Sequence, residues 1–118
     1  MFEILEITKD NVIAFKATGK IEGADYEKII PLMEKTEREG NQVRLFIEIG
    51  DIKGITGKGL LKDIVTYFKH IKHIKKVAVV GRNGEGKGWA EVADPFVKAE
   101  IKYFPVEEKV VAEEWIVK

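Results

Sequence analysis

The sequence predicts a single α/β domain with a mixed, mostly parallel five-stranded sheet and about four helices. First, Val43–Ile49 and Val77–Val80 are almost continuously apolar, which is typical of parallel strands covered on both faces. Second, the segments before these strands have helical apolar periodicity, so strands and helices alternate. Third, two short strands open the chain. At 118 residues, the whole of 1–118 fits one domain with its own core.

The first elements are predicted from local turn and cap signals. Phe2–Ile7 and Val12–Ala17 indicate two strands, and Lys9–Asn11 between them has turn composition, so we expect an antiparallel hairpin. Asp25 is expected to cap the first helix, because its carboxylate can accept hydrogen bonds from free N–H groups there. Pro31 lies beyond the first turn, so it is expected to kink this helix or weaken its first half.

A glycine-rich loop, Gly50–Gly59, is expected between the first buried strand and the second helix. That helix is predicted from a one-sided apolar stripe. The stripe consists of Leu60, Leu61, Ile64, Val65, Phe68 and Ile71.

The last third of the chain predicts a helix at Trp89–Asp94, a strand at Ala99–Phe104 and a final helix beginning near Pro105. In that final helix Val111 and Trp115 are expected to point inwards. The alternating strand indicates a sheet edge, which permits a homodimer without requiring one. The element order is β-β-α-β-α-β-α-β-α.

Composition excludes several classes of function. Twenty basic residues balance twenty acidic ones, so no long-range attraction to nucleic acid is expected. The chain has no cysteine and no serine, which removes thiolate and serine nucleophiles and zinc–thiolate sites. The acidic N-terminal segment lacks the bases of a signal peptide, and no apolar run reaches membrane-spanning length. We therefore expect a cytoplasmic protein without a transmembrane segment.

The segment Gly81–Gly88 resembles a phosphate-binding loop, since it follows a buried strand and has the spacing G-x-x-x-x-G-K. Gly88 replaces the Ser or Thr whose hydroxyl would hold Mg²⁺, so a flexible connection is favoured over nucleotide hydrolysis, and weak anion binding stays open. His70 and His73 could share a helix face. The lysines of Lys69–Lys76 disfavour a metal there, and this basic cluster is interpreted as a solvated helix end.

Five aromatic residues have two interpretations. They can line an apolar ligand pocket, or they can be core residues at helical spacing, and the core interpretation is favoured. The five are Tyr26, Tyr67, Phe68, Trp89 and Phe96.

Several short motifs in a particular order resemble the SpoIIAA-like family, STAS-type domains related to anti-sigma-factor antagonists. The motifs are Gly19, Asp25-Tyr26, Ile30-Pro31, Arg44–Ile49, Asp51, Gly54, Asp63, Phe68, His70, Val77–Gly81, Phe104 and Ala112–Ile116. The resemblance implies a small regulatory domain that is not an enzyme, needs no cofactor or metal, and binds a protein partner through the loop before the second helix. The implied contact residues are Asp51, Lys53, Thr56 and Lys58.

The resemblance also raises two further expectations. Sporulation antagonists are switched by phosphorylation of a serine at the start of the second helix, but this loop lacks that Asp-Ser-Ser-Gly signature and offers only Thr56. The phospho-switch is therefore not carried over. Some relatives have been likened to CRAL-TRIO lipid-binding domains, so a carrier of a small apolar or lipid-like ligand is the alternative function. The alternative interpretation of the Gly50–Gly59 loop, which does not rely on the resemblance, is that its glycines only allow a tight turn before the helix.

Overall fold

The structure, a computed structural model, describes residues 1–8, 11–68, 74–82 and 100–118. Five strands lie side by side in chain order. They are β1 (Phe2–Ile4), β2 (Val12–Gly19), β3 (Val43–Ile52), β4 (Ile74–Gly81) and β5 (Glu100–Pro105). The first pair is antiparallel and the later pairs are parallel, so the predicted mixed, mostly parallel sheet is confirmed.

The described residues contain three α-helices. These are α1 (Gly23–Arg38), α2 (Gly57–Phe68) and α3 (Lys109–Val117), and a 3₁₀ turn at Val106–Glu108 leads into α3. Helices α1 and α2 connect successive parallel strands, as the alternation predicted. The further helix predicted at Trp89–Asp94 lies outside the described residues.

Strand β1 is shorter than predicted, because the chain turns after Ile4 instead of continuing to Ile7. The Thr8 hydroxyl accepts a hydrogen bond from the Ala14 N–H at 2.9 Å and lies 3.0 Å from the Ala14 carbonyl oxygen. The Thr8 N–H also donates to the Leu5 carbonyl at 3.0 Å. These bonds hold residues 5–8 in a turn beside β2. A strand that continued to Ile7 could not form them.

The start of α1 differs from the prediction, since Glu22 is the N-cap residue and Asp25 lies three positions later. The two residues form a reciprocal capping box, in which the Asp25 carboxylate accepts from the Glu22 N–H at 2.8 Å. The helix continues through Pro31 to Arg38. Because proline has no N–H, Pro31 leaves the carbonyl four residues earlier without its helical hydrogen bond. Pro31 is exposed, so this carbonyl is on the solvent side, where water can satisfy it.

One face of the sheet is covered by α1 and α2. Alternate strand residues, among them Phe15 and Ile47, point to this face and are buried against Ile29 and Met33 of α1 and Leu60 of α2. The period of two along the strands and the helical spacing in α1 and α2 therefore produce one continuous apolar core.

The opposite face is covered by α3. Phe46 and Val80 of the sheet pack there against Ala112 and Ile116, which are fully buried. The prediction that Val111 points inwards is wrong, because its side chain is 51% exposed. Ala112 and Ile116 face the sheet instead, one residue later than the predicted pair, and the predicted Trp115 is half-buried against the same core.

Two cations of the sheet hold the C-terminal end of α3. Arg44 on β3 donates to the Ile116 carbonyl at 2.8 Å, and Lys76 on β4 donates to the Trp115 carbonyl at 3.3 Å. The Lys76 ammonium also lies 4.6 Å from the centre of the Trp115 ring. Positive charge at a helix C-terminus satisfies free carbonyls and favours the dipole, so these contacts orient α3 on the sheet.

Candidate functional site

The candidate site lies where the parallel strands end. The carboxyl ends of β2, β3 and β4 lie along the same end of the sheet, here called the carboxyl edge. The loops that leave the carboxyl edge lead into α1 and α2. Open α/β sheets place their binding residues at this edge. Asp51, Lys53 and Thr56, which the sequence predicted as contact residues, all lie there and are exposed.

The predicted Gly50–Gly59 loop is shorter in the structure, because β3 continues to Ile52 and α2 already begins at Gly57. Gly50 is part of the strand, where a Cβ atom would lie 3.2 Å from the Ala17 carbonyl oxygen. Its role is close approach between strands rather than loop flexibility. The remaining loop is anchored by the Lys53 N–H, which donates to the Gly19 carbonyl at 2.9 Å.

Thr56 is the N-cap of α2. Its hydroxyl accepts a hydrogen bond from the Gly59 N–H at 3.0 Å, which satisfies one of the free donors of the first turn. A Cβ atom on Gly59 would lie 2.8 Å from Ile55 Cγ1, so a glycine is needed where the loop packs against the helix start. The Thr56 side chain therefore has a structural role at the predicted binding edge.

The structure adds Arg82 to this edge. Its guanidinium forms an ion pair with Asp51, and its carbonyl accepts a hydrogen bond from the Tyr103 hydroxyl. The side chains of Asp51 and Arg82 are 84% and 64% exposed, so the ion pair adds little stability and both charges stay accessible to a partner. The position of Arg82 at this edge could have been predicted from the sequence, since Arg82 directly follows a strand parallel to β3.

Other predicted features lie outside the described residues. They are the Lys58 side chain, the remainder of the Gly81–Gly88 segment after Arg82, both histidines, Trp89 and Phe96.

Comparison with known proteins agrees with this geometry. The family model named SpoIIAA-like matches residues 12–117. The chain belongs to the SpoIIAA-like family. A crystal structure of an uncharacterised protein from Shewanella loihica PV-4, described as having a SpoIIAA-like fold, is similar with a TM-score of 0.66 and 30% identity. The alignment covers 98% of this chain and 92% of that one. No functionally curated protein matches.

Three of the five predicted pocket aromatics pack together in this SpoIIAA-like domain. The rings of Tyr26 and Tyr67 stack with centroids 3.9 Å apart, and Phe68 meets Tyr26 edge-on at 5.9 Å. Tyr26 and Phe68 are buried, whereas Tyr67 forms the outer layer. These contacts agree with the core interpretation, and the apolar-ligand carrier stays a prediction that depends on Trp89 and Phe96.

The Tyr26 hydroxyl is buried, and no described residue forms a hydrogen bond with it. Burial, with smaller effects of Asp63, Tyr67 and Asp25, raises the pKa of Tyr26 far above its ordinary value. The hydroxyl has therefore lost its hydrogen bonds to water and gains none from the described residues, which is a cost in stability.

We expect Tyr26→Phe to raise the free energy of unfolding by about 1 kcal/mol, because it removes the unpaired hydroxyl and keeps the ring stack. Urea denaturation followed by circular dichroism measures the change. Tyr67→Phe is the matched control, since it removes a hydroxyl from the outer residue of the stack, which is 42% exposed, and it should stay within about 0.5 kcal/mol of wild type. A Tyr26→Phe protein less stable than wild type by a similar margin would show that the hydroxyl has a partner.

No described helix is long and apolar enough to cross a membrane.

Proposed function

We propose that this SpoIIAA-like domain is a small, non-enzymatic regulatory domain that binds a protein partner through the carboxyl edge of its sheet. The proposed contact residues are Asp51, Lys53, Thr56 and Lys58, together with Arg82. Family membership supports a small regulatory domain of the type to which anti-sigma-factor antagonists belong. The site itself supports the choice of surface.

The observation that carries the proposal is an exposed, charged segment, the end of β3 and the loop after it, which is held by one backbone hydrogen bond and one side-chain hydrogen bond. Lys53 is tied to the end of β2, and Thr56 is tied to the first turn of α2. A loop already held in one conformation loses less entropy when a partner binds. Asp51 at the end of β3 and Lys53 in the loop present charges of both signs, which select a partner with the complementary arrangement.

The same contacts support a non-enzymatic role. The Asp51 carboxylate is paired with Arg82, and the Thr56 hydroxyl accepts from the Gly59 N–H. A nucleophile needs an adjacent general base, and a general base must lie within hydrogen-bond reach of the proton that it removes. In the described part of this edge, the Asp51 carboxylate is instead paired with an exposed guanidinium, and the Thr56 hydroxyl caps a helix.

The test is a charge swap at the loop. The double variant Asp51→Lys, Lys53→Glu keeps the net charge but reverses the local pattern, and it should weaken binding of a purified, captured partner at least tenfold. The matched control is Glu34→Lys, Lys35→Glu, which makes the same swap between exposed residues of α1. Isothermal titration calorimetry gives both affinities. Unchanged affinity in the loop swap, or an equal loss in the control, would contradict the proposed surface.

A further inference from the structure

A second surface feature lies on the sheet face that carries α3. A cleft of about 360 Å³ opens between the turn that follows β1 and the N-terminal half of α3. It is lined by Glu3, Ile4, Leu5, Glu6, Ile7, Phe46, Lys109 and Glu113. This position is separate from the loops at the carboxyl edge, so the inference below does not depend on the proposed function.

The cleft follows from how α3 is placed. The helix packs on β3, β4 and β5, and no other helix of the described residues covers the β1 side of this face. Leu5 and Ile7 fold towards the uncovered area, where they pack against the buried α3-face core and remain half-exposed. Their turn is held by the Leu5 N–H, which donates to the Ala14 carbonyl at 2.9 Å. One wall of the cleft is therefore apolar and firmly positioned.

The charges around the cleft are mainly negative. Its described neighbours are four carboxylates and two ammonium groups, a net charge of −2 at neutral pH. They are Glu3, Glu6, Glu48, Glu113, Lys16 and Lys109.

Both lysines are already paired with the same carboxylate. The Lys109 ammonium lies 2.9 Å from Glu48 Oε1, and Lys16 lies 3.8 Å from Glu48 Oε2. The Glu48 side chain is only 10% exposed, so this pairing takes place beneath the cleft rather than at its mouth. This close contact with Glu48 raises the pKa of Lys109 above its ordinary value. Lys109 also interacts electrostatically with Glu113, so the Glu113 charge is only partly offset, and Glu3 and Glu6 form no ion pair with a described residue. These three carboxylates are the ones that can attract a further cation.

We propose that the cleft binds a lysine- or arginine-bearing segment of a protein partner, with the cationic head near Glu6 and Glu113 and the alkyl stem against Leu5 and Ile7. Lysine and arginine combine an apolar stem with a charged end, which matches the apolar wall and the acidic rim. An acidic segment would meet carboxylates on both sides and is disfavoured. The cleft is the size of one or two side chains, so it specifies a short contact.

The test is a nuclear magnetic resonance titration of the full chain with acetyl-Leu-Lys-Leu-amide in about 50 mM salt, where charge contacts are weakly screened. The amides of Leu5, Ile7 and Glu113 should shift. The same peptide with norleucine in place of lysine should bind about ten times more weakly, because it keeps the stem and loses the charge.

The chain offers a matched pair of variants for this titration. Glu113→Gln should weaken binding of the lysine peptide about threefold, whereas Glu114→Gln, a neighbouring exposed position that does not line the cleft, should leave it unchanged. Equal losses in the two variants, equal binding of the norleucine peptide, or shifts confined to the Lys53–Thr56 loop would overturn the proposal. If n-butylamine alone bound as tightly as the peptide, a small free amine would replace the peptide segment as the occupant.

Discussion

Replacing Phe46 with alanine is expected to lower the free energy of unfolding by about 4 kcal/mol. Phe46 is on the central strand β3, is fully buried, and packs in the core beneath α3. The truncation removes apolar contact area and leaves a cavity between two elements that cannot close completely, and both effects destabilise the folded state.

Urea denaturation of wild type and Phe46→Ala, followed by far-ultraviolet circular dichroism, measures this change. Phe46→Leu is the control, because it keeps most of the apolar volume, and it should cost only about 1 kcal/mol. Hydrogen exchange adds a local readout, since the amides of α3 should lose more protection than those of α1, which packs on the opposite face. A Phe46→Ala protein within about 1 kcal/mol of wild type would contradict the packing of α3 on the sheet.

Asp25→Ala is expected to lower the free energy of unfolding by about 3 kcal/mol. The carboxylate accepts hydrogen bonds from two N–H groups in different parts of the chain, Glu22 at 2.8 Å and Phe2 at 3.1 Å. Hydrogen bonds to a charged acceptor contribute more than neutral ones. The Phe2 N–H lies in a buried environment, so removing its acceptor adds the cost of an unpaired donor.

The pH dependence of this effect follows from the direction of the pKa shift. Burial tends to raise the pKa of Asp25, but the backbone N–H groups of Glu22 and Phe2, together with the charges of the N-terminus and Lys28, outweigh it and hold the pKa below its ordinary value. A lowered folded-state pKa gives stability that is fully present above the unfolded pKa of about 3.9 and is lost as pH falls through the folded value.

The control for this prediction is Asp25→Asn, which keeps one acceptor oxygen and removes the charge. Its stability deficit relative to wild type should be largest near pH 7. The deficit should shrink as pH falls below about 4, because the unfolded wild-type carboxylate then binds a proton before the folded one does, and it should disappear once the folded carboxylate is protonated as well. Thermal denaturation between pH 3 and 7 measures this difference. A deficit that stays constant over the range would show that the Asp25 charge is not what stabilises the junction of β1 and α1.

The candidate site could be predicted in part. Asp51, Lys53 and Thr56 lie at or just after the end of a recognisable buried strand, so their position at the carboxyl edge follows from strand order alone. That Thr56 caps α2 depends on a contact with Gly59, which is close in sequence but requires the precise start of the helix. The pairing of Asp51 with Arg82 joins residues 31 positions apart, and only the parallel register of β3 and β4 brings them together.

The sequence by itself determined the fold, because burial leaves a local periodic pattern. The continuous apolar run of β3, the apolar stripe of α2 and the alternation of elements are all visible within short windows, and they give a mixed five-stranded sheet. The tertiary structure alone decided which charges are buried and which surfaces remain open. A glutamate such as Glu48 is expected on the solvent-facing side of a strand. In the structure its carboxylate is nearly buried and paired with Lys16 and Lys109 where α3 packs on the sheet. Long-range contacts of this kind depend on register and helix rotation, for which single residues carry no local signal.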